Sequence, residues 1–167
     1  LYKFTNATVT INPGTVIAYY DYPGLWVQDG APIVCEGTPR LPVRFTDYRT
    51  VQEQPVKLGP YSYASTGIPV HNYRYGGVGS PGSFRFTEFS RRAHGGYAGY
   101  NFFVMDAEWR YSSLTFQDCT FYGGRCCLSG SPAFTSRISN NLFERATFWT
   151  VGTPQSSIRN NLFKGGG

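Results

Sequence analysis

Asp106, Glu108 and Arg110 alternate in "VMDAEWR". On a β-strand that spacing sends all three side chains to one face, about 6.6–7 Å apart. Two carboxylates so placed can serve a glycosidic bond as acid and base, or acid and nucleophile. The same row also fits an exposed ion-pair face contributing little. A second group is aromatic: Tyr61, Tyr63, Tyr73 and Tyr75, in "YSY" and "YRY". Across a hairpin they would face one way, able to stack on sugar rings or anchor a partner. Packing against the body of the protein is their competing use. His71 and His94 read as turn histidines. No P-loop, dinucleotide fingerprint, nucleophile elbow or metal-spaced His/Cys cluster is present, so no metal or cofactor is expected from these residues. Of the four cysteines, the adjacent Cys126 and Cys127 do not match zinc spacing. Buried thiols are one reading of them; a disulfide from Cys119 to Cys126 or Cys127 is the other.

The elements that must carry these residues are strands. Among 167 residues are 13 Tyr, 13 Phe, 20 Gly and 11 Pro, while charged residues make only 15%. That balance suits short strands and many turns, and no long window shows the three-and-four apolar spacing of a helix. The net charge is +5, spread along the chain with Arg91-Arg92 as its longest run. A nucleic-acid binder would cluster such charge; the dispersed form favours acidic polymers at low salt. No apolar run of membrane-spanning length occurs. Without an initiator Met or a signal peptide, the chain reads as a processed protein or a segment of a longer one. Asn6-Ala7-Thr8 fits a glycosylation sequon.

The strands repeat. "SRISNNLFER" (136–145) returns as "SSIRNNLFKG" (156–165), and twenty-two residues before Ile138 stands Phe116 in "LTFQDCTF", with Asp118-Cys119 in place of Asn140-Asn141. "FRFTEF" (84–89) and "VRFTDY" (43–48) carry the pattern further back. Near the start, "VTINPGTVI" and "LWVQDGAPI" superpose with Val9 on Leu25, Ile11 on Val27, Gly14 on Gly30 and Ile17 on Ile33. Such steps are too short for strand–helix–strand units, so the chain is expected to coil, each rung lying on the last about 4.8 Å away. Like residues then form internal files: Val9/Leu25/Val43/Phe84/Leu114, Ile11/Val27/Phe45/Phe86/Phe116/Ile138/Ile158, and Phe121/Phe143/Phe163. Asn141 and Asn161 are expected at a left-handed corner, linked rung to rung as an amide ladder.

"TINPGTVI", "GLWVQDGAPIVCEGTPRLPVRFT" and the twofold "NNLF" resemble the right-handed parallel β-helix proteins of the pectin-lyase-like superfamily, above all its large secreted bacterial members of uncertain function. The resemblance covers 1–48 and 84–167. It implies an all-β, right-handed parallel β-helix forming a single domain over 1–167, incomplete or uncapped at one or both ends. A Tyr/Gly/Pro-rich loop at about 49–83 and a Gly-rich one at about 91–102 interrupt it. It implies a secreted or cell-surface location and a structural or adhesive role, binding a polysaccharide or cell-surface glycan through the tyrosine loop. Open solenoid ends add an expectation of end-to-end self-association into fibres. The alternative is a polysaccharide lyase or glycoside hydrolase acting on an acidic polysaccharide through Asp106, Glu108 and Arg110, with Ca²⁺ only in the lyase case. "AHGG" is similar to the Gly-His-Gly of β-helix polygalacturonases and "RIS" (137–139) to their Arg-Ile-Lys. Ser139 replaces the lysine, however, and that family's Asn-Thr-Asp and Asp-Asp motifs have no counterpart before His94.

Overall fold

A computed structural model describes residues 2–19, 25–47, 70–73, 79–90, 102–104, 111–129, 133–152 and 155–165. Every regular element among them is a strand, in the order β1 (Tyr2–Thr5), β2 (Val9–Ile11), β3 (Val16–Tyr19), β4 (Leu25–Gln28), β5 (Ile33–Glu36), β6 (Val43–Asp47), β7 (Val70–Tyr73), β8 (Ser80–Arg85), β9 (Thr87–Ser90), β10 (Phe102–Val104), β11 (Tyr111–Gln117), β12 (Thr120–Ser129), β13 (Thr135–Ser139), β14 (Leu142–Val151), β15 (Gln155–Arg159) and β16 (Leu162–Lys164). They form three sheets: β1-β4-β7, then β2-β5-β8-β11-β13-β15, then β3-β6-β9-β12-β14-β16 with β10 beside β12. Every pairing between them is parallel. The chain visits the sheets in rotation and returns one strand further along each time. This is a parallel β-helix.

Two strands serve two faces. β12 pairs with β9 through Thr120–Tyr122, then with β10 from Arg125 onward. The bend between lies at Gly123 (φ 61°), and β14 bends at the matching Arg145 (φ 50°). Beyond that corner the second halves of β12 and β14 act as the first strand of the next coil.

Alternation decides what each strand buries. In β5, Ile33 and Cys35 are buried while Glu36 is exposed; in β13, Ser136 and Ile138 are buried between exposed Thr135 and Arg137. Register turns this into files. Phe45, Phe89, Phe121, Phe143 and Phe163 stack face to face with centroids 5.3, 4.9, 4.6 and 4.9 Å apart and planes within 9°. Phe84 and Phe116 stack beside them at 5.1 Å and meet Phe89 and Phe121 edge-on. Contacts of this kind add about 0.5–1.5 kcal/mol each beyond the apolar area they bury.

The carboxy-terminal files follow the sequence repeat: Phe116, Ile138 and Ile158 are partners, as are Phe121, Phe143 and Phe163. The amino-terminal files differ from expectation by one sheet. Leu25 pairs with Tyr2, Val9 pairs with Ile33, and Phe45 joins Phe89 on the third sheet. Phe86 leaves the core file altogether. It occupies a left-handed corner (φ 43°), with the Arg85 guanidinium 5.2 Å from its ring centre.

That corner recurs in each later coil, at Asp118 (φ 55°), Asn140 (φ 57°) and Asn160 (φ 52°). The left-handed residue is therefore the first Asn of each "NNLF", a correction to the expectation for Asn141 and Asn161. Asn and Asp tolerate this conformation because their short polar side chains bond locally. The second Asn builds the ladder. Asn141 Oδ1 accepts the Cys119 backbone N–H at 2.8 Å, and Asn141 Nδ2 donates to the Phe116 carbonyl at 3.0 Å. One coil on, Asn161 Oδ1 accepts from the Asn141 backbone, and Asn161 Nδ2 donates to the Ile138 carbonyl at 2.8 Å. Cys119 continues the ladder backwards, its thiol donating to the Phe84 carbonyl at 3.3 Å. Cys35, Cys119 and Cys126 are buried thiols outside any disulfide, so none joins Cys119 to Cys126 or Cys127.

Candidate functional site

Of the residues with chemistry in the sequence, Asp106, Glu108, Arg110, Tyr61, Tyr63, Tyr75 and His94 lie outside the described residues. Tyr73 and His71 fall in β7, opposite Gln28 and Trp26 of β4, and only their backbone is described. The described chemistry lies on the outer face of the second sheet.

That face follows from the core. Since Leu114, Phe116, Ser136 and Ile138 point inward, Ser113, Thr115 and Gln117 on β11 and Thr135, Arg137 and Ser139 on β13 must point outward. Ladder pairing sets Ser113 beside Thr135, Thr115 beside Arg137 and Gln117 beside Ser139. β15 adds Ser157 beyond Arg137 and Arg159 beyond Ser139; β8 adds Ser83 before Thr115 and Arg85 before Gln117. Rungs about 4.8 Å apart and same-face residues about 7 Å apart give a flat lattice of hydroxyls and guanidinium groups. Ser113, Thr115, Thr135 and Arg137 line an open groove of about 260 Å³ on it.

Its charge is less compensated than that of the third sheet. There, Arg44 pairs with Glu88 at 2.7 Å and Lys164 with Glu144 at 3.1 Å. On the second sheet Arg85 shares Asp118 only loosely, at 3.9 Å. Arg137 and Arg159 are exposed, with no ion pair among the described residues. Glu36 is the acidic neighbour, one rung before Arg85. Asp118 is further occupied by Gln117 Nε2 at 3.1 Å and Asn140 Nδ2 at 3.2 Å.

A guanidinium fork matches a carboxylate or sulfate bidentately, and neighbouring hydroxyls can donate to or accept from sugar hydroxyls. The thiols offer no comparable chemistry. Burial pushes Cys119 up to about 12 and raises Cys35 further, so neither forms a thiolate near neutrality. Among the described residues no three His, Cys, Asp or Glu side chains gather to hold a metal ion.

Sequence reasoning touched Arg137 only through the likeness of "RIS" to Arg-Ile-Lys and passed over Arg159 as dispersed charge. The signal was there: once Ile138 and Ile158 are fixed inward, their arginine neighbours must face out on adjacent rungs. No protein-family model, curated protein or solved structure matches this chain.

Proposed function

We propose that the chain is a secreted structural or adhesive module of the pectin-lyase-like superfamily, a right-handed β-helix whose outer second-sheet face binds an acidic glycan. The observation that carries this reading is the placing of exposed Arg137 and Arg159, without an ion pair among the described residues, in the Ser/Thr lattice around the 260 Å³ groove. Stacked rungs hold these groups on a rigid backbone, so little conformational freedom is lost when a stiff polymer settles across several of them. The net charge of +5 supports attraction to a polyanion.

Calorimetry against polyuronate, sulfated and neutral polysaccharides tests the reading. Binding to the charged polymers is expected to weaken about tenfold in Arg137→Ser and to decline with salt. Equal binding to neutral polymer, or no effect of Arg137→Ser and Arg159→Ser together, refutes it. Chain cleavage in the same mixtures, seen as unsaturated products or new reducing ends, replaces adhesion with lysis or hydrolysis.

A further inference from the structure

Arg85 and Phe86 stand where β8 ends and the chain turns toward β9. Phe86 holds the left-handed corner (φ 43°) that Asp118, Asn140 and Asn160 hold in the later coils. Short polar side chains suit that backbone and an aromatic one does not. Strain of this kind collects where a site needs a side chain held in one place. What the half-buried ring holds is Arg85, whose guanidinium lies 5.2 Å from the ring centre. Among the described residues that guanidinium donates no hydrogen bond. Asp118 Oδ2 is 3.9 Å from Arg85 Nε, beyond hydrogen-bond reach, and the Asp118 carboxylate is engaged by the side-chain amides of Gln117 and Asn140. The Arg85 side chain is 50% exposed. A cation is thus set against an aromatic face with its N–H edge unused.

Arg85 belongs to the outer face of the second sheet. Gln117, Ser139 and Arg159 follow it along one outward file, and Ser83, Thr115, Arg137 and Ser157 form the file beside it. Three guanidinium groups therefore lie across four rungs, Arg85 on the first, Arg137 on the third and Arg159 on the fourth. The outer two are about 14 Å apart along the solenoid axis, with hydroxyls and an amide at the positions between. One rung before β8 both files change character: Val34 precedes Ser83, and exposed Glu36 precedes Arg85. A carboxylate there repels an anion, and valine offers a sugar hydroxyl no hydrogen bond.

We propose that Arg85, steadied by Phe86, is the terminal anion subsite of this face, and that the acidic glycan lies lengthwise along the solenoid from Arg159 through Arg137 to Arg85. The proposal rests on the glycan reading and deepens it. The ligand is an oligosaccharide long enough to span four rungs, with anionic groups spaced to meet all three arginines, rather than a single acidic sugar. At its far end the planar cation presents N–H groups side by side to a carboxylate or sulfate. Glu36 closes the track beyond it, which fixes the register of the bound chain.

Heparin fragments of two and of ten sugars, which carry both carboxylate and sulfate, separate the subsites by calorimetry. The disaccharide reaches only Arg137 and Arg159, one rung apart, whereas the decasaccharide spans all three arginines. Arg85→Ser is expected to weaken decasaccharide binding about tenfold, the scale of a hydrogen bond to a charged group, and to leave the disaccharide unchanged. Phe86→Asn suits the corner's backbone and is expected to weaken the decasaccharide about threefold with an undiminished urea midpoint, a loss that a packing role alone would not produce. Lys3→Ser removes one charge from the first sheet and is expected to alter neither fragment's binding. Decasaccharide binding that falls with Arg137→Ser but no further with Arg85→Ser than with Lys3→Ser overturns the subsite and leaves the glycan reading standing. Full decasaccharide affinity in Phe86→Asn overturns the ring's part in it. Binding of both fragments indifferent to Arg137→Ser and Arg159→Ser together defeats the glycan reading itself, and the subsite with it.

Discussion

Asn161 Oδ1 accepts two hydrogen bonds from Asn141, one coil before it: from the backbone N–H and from Nδ2, each at 3.0 Å. The two residues are not equivalent. Asn141 is fully enclosed, 1% exposed, and also satisfies Cys119 N–H and the Phe116 carbonyl, whereas Asn161 is half-buried with no described coil beyond it. Removing Asn141 strands two backbone groups in the core, at about 1–3 kcal/mol each. We expect Asn141→Ala to cost about 3–5 kcal/mol and Asn161→Ala about 1–2. Urea midpoints at constant m-value measure both. Equal costs would show that the number of bonds, rather than depth in the stack, sets the ladder's worth.

The corner before the ladder separates backbone preference from side-chain bonding. Asn140 sits at φ 57° and Phe86, two corners earlier, at φ 43°. A β-branched residue there meets the left-handed penalty of roughly 1–2 kcal/mol. Asn140→Val is therefore expected to lose that much, and Asn140→Gly only a few tenths. Phe86 carries the same penalty in the native protein, offset by a cation–π contact with Arg85 worth about 0.5–1 kcal/mol at an exposed site. Phe86→Asn is accordingly expected to be neutral or to stabilise by up to about 1 kcal/mol. A fall in melting temperature of several degrees would show that packing of the ring outweighs strain.

The same residues explain what the sequence made legible. Ile138 and Ile158 could be aligned because their coils carry no insertion and share the strand–Asn-Asn–strand grammar. "VTINPGTVI" and "LWVQDGAPI" share a grammar as well, strand–Gly–strand, but they turn different corners: the first holds β2 and β3, the second β4 and β5. Superposing them moved every amino-terminal partner one sheet round. Phe86 looked like a core residue because it alternates with Phe84, and alternation does not reveal that the chain turns there. The outer face was harder still. Hydroxyls and arginines carry no apolar period, so Thr115, Arg137 and Ser157 become neighbours only after the inward files are known.

Close approach of coils, rather than backbone conformation, should govern Gly37. A Cβ there would be driven into the Phe86 carbonyl oxygen and would lie 2.9 Å from Val43 N and 3.1 Å from Arg85 O, all backbone atoms unable to swing aside. Its own N–H donates to Arg85 O at 3.0 Å, holding the two coils at that spacing. Gly30 is the opposite case, with φ +80° and nothing within 4 Å of a Cβ. We expect Gly37→Ala to cost about 3 kcal/mol or more, as overpacking does at its severe end, and Gly30→Ala only about 1–2. Denaturant midpoints compare them. The reverse order would mean that the second and third coils can separate without penalty.

Alkaline stability tests the buried thiols. Burial lifts Cys119 from 9.0 to about 12, and Cys35 rises for the same reason, with the nearby Cys119 adding to it. Above pH 9 the unfolded chain therefore releases protons that the folded chain keeps, and the unfolded state gains. The thiols' contribution is whole below pH 9 and is lost as pH climbs toward 12, by at most about 1.4 kcal/mol per pH unit for each thiol. Thr87 shows that a hydroxyl is accepted in the ladder position after a corner, where its Oγ1 donates to the Arg85 carbonyl at 3.2 Å. Cys119→Thr should keep that geometry while removing the titration. Between pH 8 and 10.5 the urea midpoint of Cys119→Thr is expected to fall less steeply than that of the native chain, with tyrosine and lysine titration common to both. Parallel slopes would mean that Cys119 ionises as readily in the folded protein as in the unfolded one, and would refute its enclosure between the coils.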